Sequence, residues 1–219
     1  MAWSRVQKNN SGSASSTWGS ATAAGNLLVA AFSCITSSGN STVTPPAGKG
    51  WTAGPLARQG GTPNVQTFLF YNLNSASQSG SQTFTATGSP TGLCLEMAEY
   101  TNTGVSTTTH NQDQTNTGAA TTSPSTGTTA ALAGSGELAI ASIDQGSATD
   151  VFSAPTNSYT LVDTVTGSAL AMAFLENLSV GSAGTGVGVT SSISLAFAGA
   201  VMTFTNPAGG HSTLPLQGC

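Results

Sequence analysis

The chain has 219 residues, of which only 5% are charged and 27 are glycine, and its net charge is −4 at neutral pH. Four cations, Arg5, Lys8, Lys49 and Arg58, cannot track a phosphate backbone, which excludes nucleic-acid binding as a main role. No apolar run reaches membrane-spanning length, and exposed positions carry Ser, Thr, Gly and Asn where helices want Ala, Leu, Glu, Lys and Arg, so an all-β fold without a membrane span is expected.

In chain order, "MAWSRVQKNNSG" lacks the apolar core of a signal peptide, and "WSRVQ" reads as a strand. Residues 1–24 carry Trp3, Val6 and Trp18 as their only large apolar side chains. Residues 25–35 form a near-continuous apolar strand of the kind buried on both faces. "SSGNSTVTPPAGKG" is turn text, "WTAGPLARQ" and "VQTFLFYNL" are strands, and "QTFTATG" alternates with Phe84 inward. "GLCLEMAEYTN" closes the first half. After the Thr-rich stretch 103–130, strands are expected at 136–143, 158–166, 169–178, 186–195 and 198–205.

"GNLLVAAF" at Gly25 is echoed by "GELAIASI" at Gly136, and the text after each copy also agrees in order. Pro46 falls against Pro155, Trp51 against Tyr159, and Tyr71-Asn72-Leu73 against Glu176-Asn177-Leu178. Phe84 falls against Val189, and Met97, Tyr100 and Asn102 against Val201, Phe204 and Asn206. Ordered landmarks at a spacing near 100 residues indicate an internal duplication, and two β-sandwiches of that size. The expected boundaries are a first sandwich at 1–102, a linker at 103–109, a second sandwich at 110–207 and a tail at 208–219. Leu27 and Val29, with Leu138 and Ile140, are the expected core phase, with Leu28 and Ala139 less sensitive to truncation.

Chemistry-bearing patterns are sparse. Glu96 and Glu99 have opposite parity on one strand and point to opposite faces, so they do not form the facing pair of a glycosidase. His110 and His211 have no G-x-S-x-G partner, and "GTGVG" at 184–188 lies between strands, where its glycines are turn residues. "NQDQTN" at 111–116 alternates Asn111, Asp113 and Thr115 as a calcium loop would, without the bidentate Glu. No catalytic, cofactor or metal site is therefore expected, and the chain is read as non-enzymatic.

Cys34 and Cys94 lie on strands that neighbour each other in a sandwich. They read either as a disulfide or as two small buried side chains in a reduced core, with Cys219 left over. Asn9, Asn40 and Asn177 head sequons and are candidate glycan acceptors in an extracellular setting. Residues 1–20 have two readings: the first strands of their own sandwich, or a strand donated to a neighbour, with Trp3, Val6 and Trp18 as the contact.

The succession "GNLLVAAF", a proline turn, an aromatic strand ending "YNL", "SQTFTATG" and a closing "EYTN" strand resembles jelly-roll or immunoglobulin-like sandwich modules. Such modules occur in tandem in secreted bacterial surface proteins and phage structural proteins. The resemblance covers both halves and implies a structural or adhesive role. The expected function is a self-assembling subunit of an extracellular filament or virion surface, a homo-oligomer with glycans as candidate partners. The second reading is a carbohydrate-binding or adhesive module.

Overall fold

The computed structural model describes residues 2–73, 75–102 and 108–205. Most of the expected linker, the expected tail, Asn206, His211 and Cys219 lie outside the described residues. The fold is all-β, with 56% of residues in strands and no helix among the described residues. The first half runs β1 (Trp3–Ser11), β2 (Ser15–Thr17), β3 (Leu27–Thr36), β4 (Val43–Thr44), β5 (Thr52–Gln59), β6 (Asn64–Asn72), β7 (Ser81–Thr83), β8 (Thr85–Ala86) and β9 (Gly92–Asn102). The second runs β10 (His110–Thr121), β11 (Glu137–Gln145), β12 (Phe152–Ser153), β13 (Thr160–Thr166), β14 (Ala171–Val180), β15 (Thr190–Ser191) and β16 (Leu195–Phe204).

Each half contributes one five-stranded antiparallel sheet, ordered β1-β9-β3-β6-β5 and β10-β16-β11-β14-β13. In both, the half's first strand lies at an edge, its last strand lies beside it, and the apolar strand after the glycine occupies the centre. Registers agree as well. Leu27 pairs with Tyr100 as Leu138 pairs with Phe204, and Val29 pairs with Tyr71 as Ile140 pairs with Glu176. The glycine that opens each phrase has a physical reason. Gly25 and Gly136 sit at φ +86° and +77°, a left-handed turn that a side chain would strain.

The two sheets pack face to face. Leu27, Val29 and Ala31 meet Leu138, Ile140, Met172, Phe174 and Met202 in a shared core. The outer face of the first sheet is covered by the ladders β2–β7 and β4–β8, which bring Trp18 and Phe84 onto Leu28, Ala30 and Phe32. Leu132, Phe152, Tyr159 and Val187 cover the second. Each half thus keeps a core of its own beneath these covering segments, and the apolar inner faces of the two main sheets also bury each other. The expected strand at 186–195 is reduced to Thr190–Ser191, joined by a single bridge between Ser125 and Gly188.

This layering corrects the expected ranking within the apolar strands. Leu27 and Val29 face the shared core as expected, but Leu28 and Ala139 are equally buried, facing the outer cores. Leu28→Ala is expected to cost as much as Leu27→Ala, about 2–5 kcal/mol, in urea unfolding.

All four edge strands of the two five-stranded sheets are broken by register shifts. These lie between Arg5 and Gln7 in β1, Ala53 and Leu56 in β5, His110 and Asp113 in β10, and Leu161 and Asp163 in β13. β5 adds Pro55, which has no N–H to offer. Bulges and edge prolines blunt strand addition from another chain.

Candidate functional site

β1 lies along β9 in its own sheet over its whole length. Trp3 is buried in the shared core and Trp18 in the outer core of the first half. Neither is exposed in the single chain, where the strand folds onto its own sheet. The reason is visible in the ladder. The bulge at Val6 shifts parity, so Trp3 and Arg5 before it and Lys8 and Asn10 after it all face inward. Val6 stays on the outside at 52% exposure; with Val151 it is a large exposed apolar side chain among the described residues.

The inward face of β1 meets β13 and β14 in a seam of unusual composition. The chain has four Lys and Arg and eight Asp and Glu, and Arg5, Lys8, Glu96, Asp163 and Glu176 all gather here. Arg5 Nη1 contacts Glu176 Oε1 at 2.8 Å, and the fully buried Tyr100 donates its hydroxyl to Glu176 Oε2 at 2.6 Å. Lys8 Nζ donates to Asp163 Oδ2 at 2.5 Å and to the Val162 carbonyl at 3.1 Å. Asn10 Nδ2 reaches the same Asp163 oxygen at 2.5 Å. Glu96 stands opposite Asn10 in the β1–β9 register and has no solvent exposure. Burial, with the Asp163 charge adding to it, pushes its carboxyl up to about 8 against the partial offset of Lys8 and Arg5.

The matching positions on the other side of the sandwich are aromatic. His110 occupies the register position of Arg5, Phe204 that of Tyr100, and Tyr71 that of Glu176. Tyr71 stacks on His110 with centroids 4.9 Å apart, and both rings meet the edge or face of Phe204. His110 Nε2 lies 2.6 Å from Asp113 Oδ1. One side of the interface is thus closed by ions and the other by rings. Between them runs a hydroxyl string from Ser33 to Thr67 at 3.0 Å and on to Ser142 at 2.9 Å, crossing from one sheet to the other. Asp144, the register counterpart of Ser33, is fully buried beside it, and burial raises its carboxyl to about 8 against the partial offset of the Ser33 hydroxyl and the Ala198 backbone N–H.

Other carboxylates hold loops. Glu99 points to the outer face and accepts from Gln7 Nε2, the Ala23 N–H and Asn26 Nδ2, each at 2.7 Å. Glu137 accepts from Asn111 and the Gly134 N–H, and Asp150 from Ser191 and Ser192. Asn111–Asn116 forms part of β10 rather than a loop. Among the described residues, no group of three or more His, Cys, Asp or Glu is placed to hold a metal, and no helix is long and apolar enough to cross a membrane.

Cys34 and Cys94 are free thiols, which corrects the disulfide reading. Cys94 faces the shared core and Cys34 the outer one. The ladder pairs Ser33 with Cys94, and this one-residue offset puts the sulfurs on opposite faces of the sheet. Burial pushes the Cys34 thiol up to about 11 and the Cys94 thiol higher still. Of the sequon residues, Asn40 is exposed. Asn9 is part-buried and donates to the Thr17 carbonyl. Asn177 is buried, donating to the Asn157 carbonyl at 3.1 Å and accepting from the Ser179 N–H at 3.0 Å, so its amide is committed within the fold.

A cleft of about 330 Å³ opens beside Asn177, lined by Thr128, Asn157, Ser158, Ser179 and Thr185 over a glycine floor. It is neutral and polar. Comparison with protein-family models, with curated proteins and with solved structures finds no match for this chain.

Proposed function

We propose that the chain is a non-enzymatic structural subunit that assembles with copies of itself on an extracellular filament or virion surface. Its two halves would have arisen by duplication, a reading supported by the identical strand orders and matching registers. The observation that carries the structural role is where the charges go. Glu99, Glu137, Asp150 and Glu176 are each spent on a backbone N–H, an amide, a hydroxyl or Arg5 that holds the fold. Nothing in this arrangement pairs a free nucleophile with a base over a cleft. The remaining surface is rich in hydroxyls and poor in charge, which tolerates close packing between copies.

Contacts between copies would use faces rather than the edges of the two main sheets, since every edge strand of those sheets is bulged. Val6, exposed at the β1 bulge, is the contact carried over from the sequence. Electron microscopy of the purified chain is expected to show ordered assemblies. Val6→Asp should disperse them and leave the melting temperature unchanged. Single chains at every concentration, or assemblies indifferent to Val6→Asp, would argue against this contact and, in the first case, against the structural reading itself.

The neutral cleft around Asn157 favours a second reading, the carbohydrate-binding or adhesive module. Its hydroxyl and amide lining suits an uncharged sugar. Retardation of a monomer on a neutral polysaccharide column, abolished by Asn157→Ala, would support that reading over assembly.

A further inference from the structure

We infer that the pocket between β4 and the edge strand β5 is a binding site for a small carboxylic acid bearing one aromatic ring, with Arg58 taking the carboxylate. The pocket has a volume of about 220 Å³ and is lined by Val43, Pro55, Leu56, Phe68 and Phe70, with Arg58 among them. Pockets for drug-sized ligands run from about 300 Å³ upward, so this one suits a single ring on a short acid arm. Arg58 is its charged group and is held from behind. Its Nε donates to Gln66 Oε1 at 3.1 Å and its Nη2 to the Ser41 carbonyl at 2.7 Å. Gln66 is itself fully buried, and the same Oε1 accepts the Ser41 N–H at 3.0 Å. The guanidinium carbon stands 5.8 Å from the centroid of the Phe68 ring, which belongs to the lining. These contacts fix the guanidinium without neutralising it.

What Arg58 lacks is an anion. Arg5 and Lys8 each contact a carboxylate, but among the described residues none contacts Arg58. A guanidinium carries five N–H donors, and the bonds to Gln66 and Ser41 use one on Nε and one on Nη2. Nη1 and the second Nη2 hydrogen remain, the paired donors that grip both oxygens of a carboxylate. The ring of the ligand would lie against Leu56, Phe68 and Phe70, out of water. A ring without the acid leaves the guanidinium unpaired, and an acid without the ring leaves the apolar lining uncovered. The second half offers an internal comparison. Thr166, Ala171 and Ala173 stand at the register positions of Arg58, Gln66 and Phe68. The same sheet edge is therefore built there without a cation, an amide or a ring, so the cluster is not a requirement of the strand pairing. The inference depends neither on self-assembly nor on the neutral cleft at Asn157.

Equilibrium dialysis of the full-length chain against phenylacetate tests the site, with uncharged phenylacetamide and ring-free acetate as comparisons. Phenylacetate is expected to bind saturably, phenylacetamide at least about tenfold more weakly, and acetate not measurably. Arg58→Gln should weaken phenylacetate by the same factor and leave phenylacetamide unchanged. Leu56→Trp, at a half-buried position, fills the pocket while keeping the charge and should abolish uptake of both. The melting temperature reports whether each variant is folded. No saturable uptake of phenylacetate by the wild type, whether the pocket stays empty or is filled by a second copy of the chain, overturns the proposal. So does phenylacetamide that binds as tightly as phenylacetate, or phenylacetate uptake unchanged in a folded Arg58→Gln or Leu56→Trp chain. The three probes on the wild type decide the chemistry even where a variant does not fold.

Discussion

Trp3→Ala is expected to destabilise the isolated chain by about 3–5 kcal/mol, read from the shift in its urea unfolding midpoint. Trp3 is 3% exposed and sits in the core shared by the two sheets, so truncation opens a cavity at the interface between the halves as well as within the first. Trp3→Phe should cost much less, since it keeps most of the ring and removes an indole N–H that is buried without a partner. A strand held by a neighbouring molecule behaves differently. In that case truncating Trp3 leaves the stability of the single chain untouched and weakens assembly alone, so the two readings separate in one denaturation series.

The second large effect is on pH. Asp144 and Glu96 each have a carboxyl raised to about 8 by burial. Unfolded, both titrate near 4. An acid whose folded value lies above its unfolded one binds more protons in the folded state. Its contribution to stability is complete below about pH 4 and is lost as pH rises through the window up to about 8. Melting temperature is therefore expected to fall from pH 5 to pH 8, opposite in sign to the usual effect of paired carboxylates. Asp144→Asn should flatten much of that slope and stabilise the protein at pH 8, on the order of 1–3 kcal/mol for removing a buried charge. A melting temperature that rises over the same window, or an Asp144→Asn chain that is less stable at pH 8, would contradict this assignment. Ser33, the counterpart of Asp144 in the first half, shows that the position accepts a neutral hydroxyl.

Much of the fold is legible in the sequence. The long strands β3, β5, β6, β9, β11, β13, β14 and β16 follow from apolar runs between turn residues, and the paired glycines mark where β3 and β11 begin. The continuous apolar text of β3 signals burial on both faces, which also shows why Leu28 cannot be the mild position. The two-residue strands β4, β8, β12 and β15 are too short for any period to declare itself.

The seam is illegible for a different reason. Arg5, Tyr100 and Glu176 lie far apart along the chain and meet only because the two sheets close face to face. The duplication reveals two matching halves without revealing that each is the other's cover. The thiols fail as a pair on a single detail, the one-residue register between β3 and β9, which strand text does not carry. Trp3 looked exposed because its surroundings in sequence are polar. Of those polar neighbours Ser4 is exposed, while Arg5, Lys8 and Asn10 face the other sheet and meet Glu176 and Asp163.

The two halves form one body through their inner faces. The direct measurement is unfolding in urea followed in each half separately. Trp3, Trp18 and Trp51 all lie in the first half, so tryptophan fluorescence reports that half, while hydrogen exchange of peptides from β11 and β14 reports the second. Coincident transitions are expected, because the loss of one sheet exposes the whole inner face of the other. Two separate transitions, with β11 and β14 still protected after the tryptophan signal has been lost, would contradict it.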